Sequence, residues 1–195
     1  MSRSVSAVIA CALSAFAIAA PAQARDYQID PEHTEVVVSW SHFGFSRPTA
    51  HAGGIEGVLR YDAARPAASS VTLRVPVESL TSHVPKLDEM LRGPEFFDAA
   101  TYPYIRFEST SVRDQGDGRL RIEGVLRIKN HEQPVVLEAV RNREGTHPRA
   151  GRPAVGFDAT ATLKRGDFGV GAYAPDVSDD VELRITVEAL AAAAP

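Results

Sequence analysis

Ile105-Arg-Phe-Glu-Ser-Thr-Ser-Val-Arg-Asp-Gln-Gly-Asp-Gly-Arg-Leu-Arg-Ile-Glu-Gly-Val-Leu-Arg-Ile128 is the stretch that decides the fold. In its first half Ile105, Phe107 and Ser109 alternate with Arg106, Glu108 and Thr110. In its second half Leu120, Ile122, Gly124, Leu126 and Ile128 alternate with Arg121, Glu123, Val125 and Arg127. A period of two places successive side chains on opposite faces of an extended chain, so each half is a strand with one wet face. Between them Asp114-Gln115-Gly116-Asp117-Gly118 is rich in residues that accept positive φ, and makes a local turn. Strands joined so closely favour antiparallel pairing over βαβ units.

The same period extends in both directions. Upstream, Ile55, Gly57, Leu59 and Tyr61 share one face, as do Val71, Leu73, Val75 and Val77. Downstream, Val155, Phe157, Ala159, Ala161 and Leu163 form one row, and Val181, Leu183, Ile185 and Val187 another. With Val36 to Phe43 and Pro134 to Val140 this predicts about eight strands. One segment breaks the rhythm. Val84, Leu87, Met90 and Leu91 fall at helical spacing, with Pro85 in the first turn and Gly93-Pro94 at the end. Glu95-Phe96-Phe97 follows, and Arg165 to Asp179 reads as a long loop rich in Gly and Asp. Eight antiparallel strands with one apolar face close into a barrel without exposed edges, or stack as a sandwich; periodicity leaves both open.

The first residues read as an export signal: Arg3, an apolar run from Val5 to Ala20, then Pro21 and Ala22-Gln23-Ala24 in the small-x-small pattern of a cleavage site. The reading divides the chain into a signal over 1–24 and one domain over 25–195, located in the periplasm or secreted. Cys11 is the single cysteine and falls within the signal, so thiol chemistry and thiolate metal sites are not expected in the domain. Removing Arg3 leaves 20 basic residues against 25 acidic, a net charge of about −5 with His neutral. That balance argues against nucleic acid or an anionic membrane as partner.

Catalytic patterns fall short. His131-Glu132 begins like a zinc-protease motif but has Val135 where the second His belongs. Gly44-Phe45-Ser46-Arg47-Pro48 lacks the last glycine of a nucleophile elbow, and Asp167-Phe168-Gly169 has no kinase context. His33, His42, His51 and His83 fall near strand ends and loops, where their spacing alone defines no metal site. No catalytic residue and no metal is therefore expected.

Particular residues then favour the barrel. Tyr27-Gln28-Ile29-Asp30 with His33, and His42-Phe43-Gly44-Phe45-Ser46, resemble the opening of the YceI-like family. The resemblance continues through Ser79, Thr81, Asp88, Leu91 and Arg92, Glu95-Phe96-Phe97-Asp98, Tyr102-Pro103, and Phe107-Glu108-Ser109-Thr110. It ends through Gly124-Val125-Leu126, Pro134-Val135, Gly156-Phe157, Asp167-Phe168-Gly169 and Val181 to Glu188. Met90 stands where many relatives carry His, and Lys129 to Gln133 replaces a tight glycine-containing turn.

The resemblance implies an exported, often dimeric, lipocalin-like barrel that binds polyisoprenoids such as ubiquinone-type or isoprenyl-phosphate lipids. The expected protein is mainly β: an eight-stranded antiparallel barrel with a short helix at one opening, and no cofactor beyond a bound isoprenoid. Its membrane donor or acceptor is not indicated. Expected ligand contacts are the aromatics Phe43, Phe45, Phe96, Phe97, Phe107, Phe157 and Phe168, and the helix residues Leu87, Met90 and Leu91. Leu59 adds strand-face surface, and the small Gly124, Ala159 and Ala161 leave room for a guest. Three rivals use the same barrel: an enzyme acting on an isoprenoid, a broad scavenger of hydrophobic compounds, and a filled core that works through protein contact.

Overall fold

The computed structural model of the chain describes residues 24–192. The signal reading, which covers 1–24, falls outside the described residues except for Ala24. The strands are β1 Arg25–Ile29, β2 Glu35–His42, β3 Thr49–Ala52, β4 Glu56–Tyr61 and β5 Ser70–Pro76, and after helix α1, Pro85–Arg92, come the rest. These are β6 Tyr104–Gly116, β7 Arg119–Ile128, β8 His131–Thr146, β9 Pro153–Lys164 and β10 Val177–Ala191.

Eight strands close an antiparallel barrel in the order β1-β4-β5-β6-β7-β8-β9-β10, with β10 returning to β1. Local connections make the β4–β5, β6–β7, β7–β8 and β8–β9 pairs, while α1 lies between β5 and β6 and a longer loop joins β9 to β10. The β6–β7 hairpin is the stretch quoted first, with Phe107 opposite Leu126 and Val112 opposite Ile122.

Strand β10 serves two neighbours. Its end, Ala189 to Ala191, pairs with Ile29 to Tyr27 of β1. Its earlier part, Val177 to Thr186, pairs with β2, and β3 pairs with β2 in turn. A bridge between His51 and Thr81 carries that wall on to the segment following β5. The barrel is thus closed by β1 at one end and by β2 and β3 at the other. The expected count of eight is met, but by a different set. Strands β1 and β3 have five and four residues, too few for alternation to stand out, while β2 joins the wall beside the closed ring.

The two ends differ inside. At the β1 end Tyr27, Leu59, Tyr61, Val112, Leu120, Ala139, Val155, Phe157, Ala189 and Ala191 pack into a solid core. Tyr61 meets Phe157 edge to face at 5.4 Å, and Arg141 donates to the Tyr61 hydroxyl at 3.0 Å, so the polar tip of that buried ring is satisfied. Burying each large apolar side chain there contributes about 1.5–3 kcal/mol. The β2 end is hollow.

Candidate functional site

A cavity of about 610 Å³ fills the barrel from the rim of the solid core to the opposite opening. That volume is within the range of about 300–1,000 Å³ for small-molecule sites. Every other residue of β2 faces it: Val36, Val38, Trp40 and His42. Strand alternation supplies the facing wall, with Leu73 and Val75 from β5, Ile105 and Phe107 from β6, and Leu126 and Ile128 from β7. Val135 and Leu137 of β8, Leu163 of β9, and Val181, Leu183, Ile185 and Val187 of β10 complete it.

Helix α1 covers part of the opening. Pro85 occupies its first turn and Gly93 ends it, donating to the Met90 carbonyl at 3.1 Å. Val84, Leu87, Met90 and Leu91 turn toward the cavity, with Phe96 and Phe97 behind them. Asp88, on the same helix, is the fastener. Its carboxylate accepts from the Ser82 hydroxyl at 2.5 Å, the Ser82 amide at 2.6 Å and the Thr81 hydroxyl at 2.9 Å. Chiefly the Ser82 hydroxyl, with the Ser82 amide and Thr81, holds the Asp88 carboxyl below its usual range against the opposing effect of burial.

The other side of the opening is the turn His42 to Ser46 and the loop after β9. Phe43 has φ 51° and Gly44 φ 75°, a sharp reversal that swings Phe43 over the cavity and Phe45 away from it. In the loop, Phe168, Val170, Ala172 and Tyr173 line the cavity, and Tyr173 stacks with Phe96 at 6.3 Å between ring centres. Among the described residues the wall carries one guanidinium, that of Arg165, and no carboxylate or lysine. Burial pulls the Arg165 group below its ordinary value, with Asp179 nearby as a partial offset. Thr34, beside the start of β2, is a buried polar side chain of the wall, and its hydroxyl is engaged with the Glu188 backbone at 3.2 and 3.3 Å.

Of the residues expected to meet a ligand, Phe43, Leu87, Met90, Leu91, Phe96, Phe97, Phe107 and Phe168 lie in the cavity wall. Six are placed elsewhere, each for a physical reason. Phe45 is 93% exposed on the outside of its turn. Leu59 and Phe157 belong to the solid core, and Ala159 packs against it. Gly124 provides a seat for the Phe107 ring. Ala161 pairs with Leu183, whose longer side chain reaches the cavity in its place. Sequence reasoning missed Val36, Val38 and Trp40 of β2 and Ile185 and Val187 of β10 as wall. Their alternation was visible, but not which half of the barrel is hollow.

A second polar group gathers outside the cavity. Asp30, His33 and Glu188 bring their ligating atoms within 4.8 Å of one another, an arrangement able to hold a metal ion. His33 Nδ1 is 2.8 Å from the Asp30 carboxylate, and His147 Nε2 is 3.2 Å from Glu188. Asp30 and Glu188 are too far apart in sequence for spacing to reveal this. Around the cavity itself, acid, base and nucleophile do not converge among the described residues.

The YceI-like domain model matches residues 27–189. A UPF0312 protein of Pseudomonas syringae pv. tomato is 34% identical over 172 residues, covering 87% of this chain and 88% of that protein. BcnA of Burkholderia cenocepacia superposes with a TM-score of 0.74 at 21% identity, over 82% of this chain and 98% of its own. A domain from Saccharophagus degradans, described as polyisoprenoid-binding and implicated in plant cell wall breakdown, superposes at 0.66 with 12% identity, over 85% and 98%. The lipocalin-like barrel is shared across these structures, and with the domain match over nearly the whole described chain the protein belongs to the YceI-like family.

Proposed function

We propose that the protein is a carrier that holds a long-chain isoprenoid lipid in the open half of its barrel. The observation that supports this best is the cavity, whose wall is apolar through most of its depth. Its one polar side chain at the inner end, Thr34, is engaged with the Glu188 backbone, and Trp40, His42, Arg165 and Tyr173 lie toward the opening. The polyisoprenoid-binding description of the Saccharophagus degradans domain gives the ligand class. Each buried methylene contributes about 0.8 kcal/mol, so tail length dominates the gross term. Tail ordering and lost motion offset much of that sum. The head stays near the opening, in or close to water. The export-signal reading of residues 1–24 supports a carrier that works in the periplasm or is secreted.

Trp40 is the single tryptophan of the chain and lines the cavity, so its emission reports occupancy. Titration of lipid-stripped protein with a ubiquinone-type quinone quenches that emission to saturation at one equivalent. A quinone head without the isoprenoid tail binds far more weakly. Equal affinity for the bare head, or no quenching by either, contradicts the carrier. Equal affinity for unrelated hydrophobic compounds of the same length favours the scavenger instead.

A further inference from the structure

The loop Gly169–Asp176 forms one side of the opening. A single guanidinium, that of Arg165 in the cavity wall, binds it. Arg165 Nε donates to the Ser178 carbonyl at 2.8 Å, and Nη1 to the carbonyls of Val170 at 2.7 Å and Ala172 at 2.8 Å. Nη2 donates to the Val177 carbonyl at 2.7 Å. Four carbonyls before and after the crown of the loop are thus gathered on one side chain, whose planar fork suits such a task better than a lysine would. The root of the loop has further ties. Gln133 donates to the Asp167 carbonyl at 3.1 Å, and Gly169, at φ 68°, lies under His131, where a methyl group would meet Nε2 at 2.7 Å. The crown is tied to the rest of the opening. Phe43 donates to the Asp176 carbonyl at 2.8 Å, and Tyr173 stacks on Phe96 across the opening.

We propose that Arg165 is a positioning residue for ligand retention: its guanidinium clasps the Gly169–Asp176 loop into the cavity wall, and the Phe96–Tyr173 contact seals the loop against the helix side of the opening. This rests on the carrier reading and deepens it. Four of the fork's five N–H donors go to backbone carbonyls, so the residue acts through Val170, Ala172 and Tyr173 as a holder of the loop. Loosening the fork frees the crown while leaving the root tied to the start of β8. The wall then opens by motion of one loop, without unpairing a strand.

The test uses the mature protein loaded with all-trans-retinol, an isoprenoid whose own fluorescence follows its transfer to phosphatidylcholine vesicles. Arg165→Met speeds release by about tenfold or more, because several charge-assisted hydrogen bonds are lost together, and Arg165→Lys gives an intermediate rate. Hydrogen exchange of the Ala174 and Val177 amides, which donate to Gly171 and Tyr173, rises in the same order, while the β6–β7 ladder stays protected. Release within twofold of wild type, with those amides as protected as before, overturns the clasp. If Arg165→Met does not fold, Arg165→Lys and the wild type carry the test: retinol protects residues 169–177 above the rest of the wall, and equal protection throughout overturns it. A wild-type protein that takes up no retinol contradicts the carrier reading, and the clasp is then judged on amide exchange in the unloaded variants alone.

Discussion

The Phe107 ring lies against the bare backbone of Gly124, its diagonal neighbour in the β6–β7 ladder, so closely that a methyl group on Gly124 would meet Phe107 Cζ at 2.4 Å and the Glu108 carbonyl oxygen at 2.6 Å. The bare backbone of Gly124 leaves room for the ring, and the ring forms part of the cavity wall. Gly124→Ala therefore overpacks this contact and destabilises the protein by about 1–3 kcal/mol, read by urea unfolding. A neutral effect would mean that the ring and strand yield without cost.

The solid and hollow halves of the barrel respond oppositely to changes in volume. Phe157→Ala, in the solid half, destabilises by about 3–5 kcal/mol, while the folded fraction still loads ligand as wild type does. Leu137→Trp, in the hollow half, fills guest space and abolishes loading with stability of the stripped protein unchanged within about 1 kcal/mol. The pair is measured by thermal unfolding beside ligand content after purification. Loss of stability without loss of loading in Leu137→Trp would show a packed core at that position.

Acid should loosen the helix side of the opening. The Asp88 carboxyl is held below the ordinary value of about 4 by the hydroxyl and amide of Ser82 and by Thr81, so its folded form favours the charged state. That contribution is complete above the unfolded value and is lost as pH falls through the depressed folded value. Retinol release then accelerates as pH drops below about 4, and Asp88→Asn shows fast release at neutral pH with a flatter acid profile. The stopped-flow rate against pH measures both. An unaltered profile in Asp88→Asn would assign the acid effect to another group.

Leu87 and Met90 present apolar surface to the cavity from α1. Replacing both by Ala raises the release rate several-fold and lowers the melting temperature only slightly, because neither is fully buried. Unchanged exchange with ligand still bound would make the helix purely structural.

The helix and most long strands were legible because their signals are local. Pro85, Gly93 and the spacing of Leu87, Met90 and Leu91 define α1 almost to the residue. Strands β6 to β9 span ten or more residues each, enough for alternation to declare itself. Strand β1 offers only Tyr27 and Ile29 as buried residues, and what identifies it is its pairing with β4 and β10, which is a property of the closed barrel. The division of the barrel was also hidden. Phe157 and Leu163 stand in one row of β9, yet one plugs the core and the other lines the cavity. Periodicity reports the face of a strand and not the level along the barrel axis. Arg165 was hidden for a related reason: its partners are carbonyls, which every residue carries.

Mass spectrometry of organic extracts from the protein purified from its native source tests the central claim most directly. The account predicts one dominant long-chain isoprenoid at close to one equivalent per chain, absent from extracts of the Leu137→Trp variant prepared in parallel. Extracts of the wild-type protein that contain no isoprenoid, or the same lipids in the same amount as the filled variant, would contradict it.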